Sequence, residues 1–341
     1  MINKVLIIAE AGVNHNGNFA IAKQLIDVAA DSGADCVKFQ TFNADKLVSA
    51  KAKLADYQKK NTAGNEASQY SMLKKLEMPE QWHYDLKQYA ISKNIIFVST
   101  GFDETSIDLL DKLDMPFFKI PSGEITNKPY LEHIATKGKP VIVSTGMSEL
   151  AEIKAVLDIL ITNGIDKKNI TVLHCNTEYP TPMEDVNLLA MQTIKKELSV
   201  AVGYSDHTLG IEVSVAAVAL GAVVIEKHFT MDRNMAGPDH LASLEPDELK
   251  AMVTAIRNIS QAISGTGEKK PSVSELKNKI ISRKSIHLKT GIPAGHILTA
   301  GDLEMKRPGD GISPMMIQNI IGKKTKITLP DEHKLTLNDI E

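Results

Sequence analysis

A chain of 341 residues is longer than an ordinary single domain, and 43% hydrophobic residues are enough for a large core. With 39 basic and 42 acidic side chains, the formal net charge of -3 gives no electrostatic reason to expect a nucleic acid or an anionic membrane as partner. Cys36 and Cys175 fall inside apolar runs, and the first such run, VLIIA, is broken at Glu10, too soon for a secretory or membrane-spanning segment, so a reduced, cytoplasmic protein is expected.

Eight short β-rich runs follow in chain order: VLIIAEAG (5–12), CVKFQTF (36–42), IIFVSTGF (95–102), FFKIPSGE (117–124), PVIVSTGM (140–147), ITVLHCN (170–176), SVAVGYSD (199–206) and VVIEKHFT (223–230). Most are apolar at consecutive positions, as parallel strands covered on both faces should be. Helical patterns lie between them. Ile21, Leu25, Ile26 and Ala29 share one face after NHNGN and are closed by Gly33, and ELAEIKAVLDILITNG ends at Gly164. Eight alternations of strand and helix predict a closed (β/α)8 TIM barrel, which uses about 250 residues. Residues 43–94 are too many for one helix, so NADKLVSAKAKLADYQKKNTAGNEASQYSML is expected to form an excursion over the barrel mouth.

The texture changes near residue 264. The expected division is a catalytic barrel over 1–264, a polar, basic linker with one short helix over 265–281, and a small β-rich module over 282–341. A module of about 60 residues is marginal alone, so it is expected to dock on the barrel or on a second subunit.

Active sites of such barrels lie at the carboxyl ends of the strands. Almost every predicted strand ends in groups capable of chemistry: Glu10; Lys38 and Gln40; Thr100; Lys119, Ser122 and Glu124; Ser144; His174 and Asn176; Ser205, Asp206 and His207; and His228. Lys38 and Lys119 are interior to apolar strands, where an ammonium needs either a carboxylate such as Glu10 or Glu124 or an anionic ligand. The hydroxyls of Ser122, Ser144 and Ser205 and the adjacent glycine N–H groups belong to the kinds that cradle phosphate or carboxylate. His207 and His228 end adjacent strands near Glu10 and Asp239, a pattern suited to a divalent metal with open coordination positions. His174 reads as a residue that packs, and His15, in NHNG, as a helix cap. Dinucleotide, P-loop and paired-cysteine zinc motifs are absent from the sequence.

Taken together, AEAGVNHNG, VKFQTF, KIPSGE, STGM, HCNTEYPTP, SDHT and EKHFTMDRNMAGPDHLASLEP resemble, in order and spacing, the sialic acid synthase family. RKSIHLKTGIPAGHILTAGDLEMKRPGDGISP looks like that family's C-terminal antifreeze-like (SAF) domain. The resemblance implies a transferase that condenses phosphoenolpyruvate with N-acetylmannosamine, as the open-chain aldehyde, and water, giving N-acetylneuraminate and phosphate by C–O cleavage of the enol phosphate. Its alternative is a legionaminate or pseudaminate synthase that takes a diacetamido-trideoxy hexose.

The resemblance further implies Mn2+, with Mg2+ or Co2+ in its place, at His207 and His228. It puts phosphoenolpyruvate on Lys38, Thr100, Lys119, Ser122, Ser144, Asn176 and Ser205. The sugar falls to Gln40, Glu124, Tyr179 and Asp239, with Glu10 near the reacting centre. Some family members have asparagine where Thr177 stands, so Asn176 and Thr177 compete for one contact. A homodimer is implied in which the C-terminal domain caps the partner's barrel and inserts Arg307. Between Glu10 and Glu124 as the group that activates water, the residue pattern does not rank. A Schiff-base aldolase with Lys38 or Lys119 as nucleophile is the competing reading, and it requires a depressed amine pKa.

Overall fold

The computed structural model describes residues 4–49, 51–62 and 67–341, and divides the chain into two compact units, Met1–Ser264 and Gly265–Glu341. Ala50 and residues 63–66 of the expected excursion lie outside the described residues. In the first unit, β1 (Leu6–Gly12), α1 (Phe19–Asp31) and β2 (Cys36–Thr41) are followed by α2 (Ala44–Leu47), α3 (Asp56–Asn61), α4 (Gln69–Leu76) and α5 (Glu80–Ser92). Next come β3 (Ile96–Gly101), α6 (Glu104–Lys112), β4 (Phe118–Ile120), α7 (Lys128–Ala135), β5 (Val141–Ser144) and α8 (Leu150–Thr162). The unit closes with β6 (Ile170–Cys175), α9 (Leu189–Leu198), β7 (Ala201–Asp206), α10 (Glu212–Ala219), β8 (Val224–His228) and α11 (Pro246–Ala262).

The eight strands are parallel and ordered β3-β2-β1-β8-β7-β6-β5-β4, so the first strand pairs with the last, as in a barrel. β3 and β4 adjoin at the remaining seam without a ladder among the described residues. The seam has a local cause. Pro116 and Pro121 flank β4, neither can donate to a ladder, and the chain leaves the expected 117–124 strand after Ile120 to make a 3-10 turn over Ser122–Glu124.

Both faces of the strands are covered. Ile7, Ile8, Phe39, Val172 and Ile225 are fully or almost fully buried, which is why the sequence shows continuous apolar runs there and not alternation. α1 follows its expected pattern, with Asn18 accepting from Ala20 N and Ile21 N at its start and Ala22, Leu25, Ile26 and Ala29 buried. The excursion holds α2 to α4 and has its own small apolar cluster, separate from the barrel core.

One polar tie secures the foot of the barrel. Asp35 accepts from Ile7 N at 2.8 Å, from Lys4 at 2.5 Å and from Arg257 of α11 at 2.7 Å. Burial pushes its carboxyl up, but these bonds outweigh burial and leave it below the ordinary carboxylate value. The stabilisation is therefore full above the unfolded value of about 3.9 and is lost as pH falls through the folded one. Asp35→Asn is expected to destabilise the barrel by about 2 kcal/mol at pH 7, from hydrogen bonds to a charged group. Urea melts at pH 7 and pH 3.5 check this: the deficit should shrink at the lower pH.

The second unit holds α12 (Val273–Ser282), β9 (Ser285–Leu288), β10 (Leu303–Lys306) and α13 (Ile317–Ile320), with β9 antiparallel to β10. The stretch 265–281, expected as a linker, clusters with this unit. Ile286, Leu288, Leu298, Ile320 and Leu335 form its core. Two turns repeat one device, with His296 on Asp302 at 3.1 Å and His333 on Asp339 at 3.0 Å, each aspartate also capping a threonine three residues earlier. Arg307 follows β10 and is exposed. Among the described residues no helix is long and apolar enough to cross a membrane.

Candidate active site

Glu10 is the register partner of both Lys38 on β2 and His228 on β8, so three chemically active side chains leave the sheet at one level. They open into a cavity of about 680 Å3 at the carboxyl ends of the strands, also lined by Gln40, Thr100, Lys119, Ser122, Glu124, Ser144, Ser205, His207, Tyr179 and Asp239.

The floor is an ionic cluster. Lys38 Nζ lies 2.5 Å from Glu10 Oε2 and 3.6 Å from Glu226 Oε2, and donates to Thr100 Oγ1 at 2.9 Å. Lys119 Nζ lies 3.2 Å from Glu226 Oε1, which also accepts from Ser205 Oγ at 2.8 Å. Both lysines thus have carboxylate partners, and Glu226, absent from the sequence-derived set, is the group that joins them. A signal for it exists in IEKHF: strand alternation puts Glu226 and His228 on one face and Lys227 on the other. The structure keeps that alternation. Lys227 pairs with Asp206 at 2.9 Å behind the barrel wall, so Asp206, expected among the strand-end groups, does not line the cavity.

The two buried carboxylates are driven apart. Burial raises the Glu10 carboxyl, and the charge of Glu226 adds to the shift against the pull of Lys38. Burial also works against charge on Glu226, but Lys119, Lys38 and Ser205 outweigh it and hold the group below its ordinary range. One carboxyl is therefore disposed to carry a proton and the other to stay ionised, the usual mark of an acid/base assignment. Glu124 differs from both: it sits half-buried at the rim and accepts from Asn127 Nδ2 at 2.6 Å.

The serines divide by role. Ser122 Oγ accepts from Gly146 N at 2.9 Å, an approach only glycine permits, since a Cβ there would come within 2.4 Å of Thr177 Cγ2. Ser144 Oγ is buried, faces the cavity and has no hydrogen-bond partner. An orphaned hydroxyl in the same cavity as two ammonium groups suits an anionic ligand. Asn176 does not line the cavity. Its side chain accepts from Glu178 N at 2.7 Å and its carbonyl is used by His207, while Thr177 lines the cavity in its place.

Two imidazoles line the same cavity. The rings of His207 and His228 are 5.5 Å apart, and Tyr179 stacks on His207 at 4.1 Å. His207 Nδ1 must donate, because its partner is the Asn176 carbonyl, which leaves Nε2 with its lone pair. Burial lowers His207 to about 4 and His228 well below its ordinary value, so both rings are neutral near pH 7. His228 Nδ1 is buried without a hydrogen-bond partner, 3.9 Å from Asp239, whose carboxyl burial pushes up to about 7. Gly12, at φ +53, leaves room beside this ring, since a Cβ would stand 3.2 Å from His228 Cε1. Among the described residues no group of three or more His, Cys, Asp or Glu is assembled to hold a metal. Two neutral imidazoles with an orphaned nitrogen still fit a divalent cation with open positions.

The remaining histidines are elsewhere. His174 points outward, bonded to Val186 O at 3.0 Å, and His15 is buried against Phe39 and Trp82, accepting from Gly17 N. Sequence reasoning missed Tyr57, which α3 stacks on Tyr179 at 5.0 Å. Arg307 belongs to the second unit.

Comparison with known proteins converges on one family. Residues 25–269 match the NeuB family model and residues 283–341 the SAF domain model. An N,N'-diacetyllegionaminic acid synthase of Campylobacter jejuni is 56% identical, over 94% of this chain and 96% of its own length. A Legionella pneumophila protein of the same name is 49% identical, over 98% and 94%. Among solved structures, an N-acetylneuraminic acid (sialic acid) synthetase of Leptospira borgpetersenii, in complex with citrate, superposes with a TM-score of 0.71 at 35% identity, covering 81% of this chain and 90% of that one.

Proposed function

The chain belongs to the NeuB family and carries a C-terminal SAF domain, and from that premise we propose that it condenses phosphoenolpyruvate with a diacetamido-trideoxy hexose and water to give a diacetyllegionaminate-type nonulosonic acid and phosphate. The observation that carries the reaction is the opening of the Lys38–Glu226–Lys119 cluster and the neutral His207–His228 pair into one cavity. The choice of sugar rests on the 56% and 49% identity to the two legionaminate synthases, and it moves N-acetylmannosamine from first to second place.

The enol phosphate is a trianion near neutrality. Lys38 and Lys119 supply its counter-charge, and Ser144 Oγ supplies a free donor in the same cavity. C3 of the enol attacks the aldehyde carbon of the open-chain sugar; a divalent cation held by His207 and His228, Mn2+ on the family pattern, would polarise the aldehyde oxygen. The attack leaves cationic character at C2, which ionised Glu226 stabilises from the floor. Glu10, which burial disposes to carry a proton, gives it to the alkoxide formed at the former aldehyde oxygen; water then adds at C2 and loses a proton to the emptied Glu10 carboxylate, and collapse of the tetrahedral centre breaks the C2–O(phosphate) bond, the hydroxyl proton leaving with phosphate. Tyr179 and Asp239 border the space left for the sugar, with Gln40 donating to Glu10 at 3.4 Å. Arg307 is read as completing the sugar site of a second copy in a capped homodimer.

The Schiff-base alternative is disfavoured at Lys38. Burial works against charge on Lys38, but Glu10 and Glu226 overcome it and hold the ammonium above its ordinary range, the opposite of what a nucleophilic amine needs. Phosphate release with phosphoenolpyruvate, Mn2+ and a panel of N-acetylmannosamine, its 6-phosphate and diacetamido-trideoxy hexoses tests the proposal. The diacetamido sugar of legionaminate configuration should give the highest kcat/KM. Preference for N-acetylmannosamine would reverse the sugar assignment, and absence of phosphate release with every sugar would end the synthase reading.

A further inference from the structure

Resting on that reading, we infer that the apolar patch carried chiefly by Leu47 of α2 and Met72, Leu73 and Leu76 of α4 is the specificity-determining wall for the far end of the sugar, built to receive a deoxygenated, methyl-bearing end and to disfavour a hydroxymethyl or a phosphate there. On that reading the reacting aldehyde lies by Glu10, His207 and His228, and the rest of the sugar extends into the remaining cavity. Part of that remaining lining is apolar. Phe42, Leu47, Met72, Leu73, Leu76 and Phe102 line the cavity and belong to one hydrophobic cluster, distinct from the barrel core. Phe42 and Phe102 meet edge to face at 6.0 Å and brace it from the barrel side.

Charge points the same way. Among the described residues lining the cavity, the cations are Lys38 and Lys119, both at the floor and both paired with carboxylates. Among the described residues of one copy, the wall offers a sugar 6-phosphate no counter-charge, and Asp56 and Glu178 line the cavity as acidic groups. The wall is also held in place. Asn61, at the end of α3, donates to Tyr179 O at 3.2 Å and to Pro238 O at 2.7 Å, tying the excursion to the loops that carry Tyr179 and Asp239. A hydrophobic pocket of this kind discriminates by about 10- to 200-fold per methyl group.

The test is the double substitution Leu47→Asn, Leu73→Asn, at two half-buried positions of the wall. Phosphate release is measured at saturating phosphoenolpyruvate and Mn2+ with the diacetamido-trideoxy hexose and with N-acetylmannosamine. The ratio of the two kcat/KM values should fall by about 20-fold or more, within the range for lost methyl contacts. The KM for phosphoenolpyruvate, which reads the floor, and a melting curve accompany it. If asparagine at both positions unfolds the protein, Leu73→Gln alone is read by the same ratio. Equal losses on both sugars in a folded variant overturn the inference and leave the synthase reading standing. A wild-type protein that prefers N-acetylmannosamine removes the premise instead, and the inference with it.

Discussion

Lys119→Met will lower kcat/KM for phosphoenolpyruvate by about a thousandfold, the scale on which preorganised charge facing a reacting anion contributes. Lys119 is the better of the two floor lysines to remove. Glu226 would keep Lys38 at 3.6 Å and the Ser205 hydroxyl at 2.8 Å, so no buried carboxylate is stranded and the barrel should remain folded. Lys38→Met, by contrast, would leave Glu10 without its 2.5 Å partner, mixing a folding defect with a catalytic one. Steady-state phosphate release at varied phosphoenolpyruvate, with circular dichroism as control, checks the prediction. A change below tenfold would place the enol phosphate elsewhere.

His228→Ala should be the second large loss. Its Nδ1 has no hydrogen-bond partner and its ring is neutral, so removal breaks no side-chain hydrogen bond of the fold; what disappears is one of the two nitrogens proposed to hold the metal. Turnover with Mn2+ should fall by about a thousandfold or more, since two ligands are the whole protein donor set on this reading. Wild-type enzyme treated with a chelator should behave in the same way and recover with Mn2+. The decisive readout is Mn2+ binding by electron paramagnetic resonance: retention of wild-type affinity in the variant would refute the metal assignment.

How far the site could be read before folding differs from residue to residue. Lys38, Lys119 and His228 stood out because a polar group at the end or in the interior of a continuous apolar run has no cheap solvent-exposed alternative. Glu226 was hidden by the same run. It lies two residues before His228, and its burial becomes intelligible only when β2, β4 and β7 bring Lys38, Lys119 and Ser205 to it. Asp206 misled in the other direction: it ends a strand, but alternation sends it outward to Lys227. Asn176 and Thr177 are adjacent and similar in polarity, so the choice between them waited on which one the turn after β6 faces inward.

The sequence alone determined the barrel, the C-terminal unit and the strand ends at which chemistry gathers, because those follow from periodicity and from side chains that a buried strand cannot otherwise tolerate. Tertiary structure alone decided the rest. The pairing of two lysines through Glu226, the opposite drift of the Glu10 and Glu226 carboxyls, and the apolar wall of the excursion each depend on elements far apart in the chain meeting around one cavity. Desolvation and charge interaction act over a few ångströms of space, and the order of residues along the chain carries no measure of that distance.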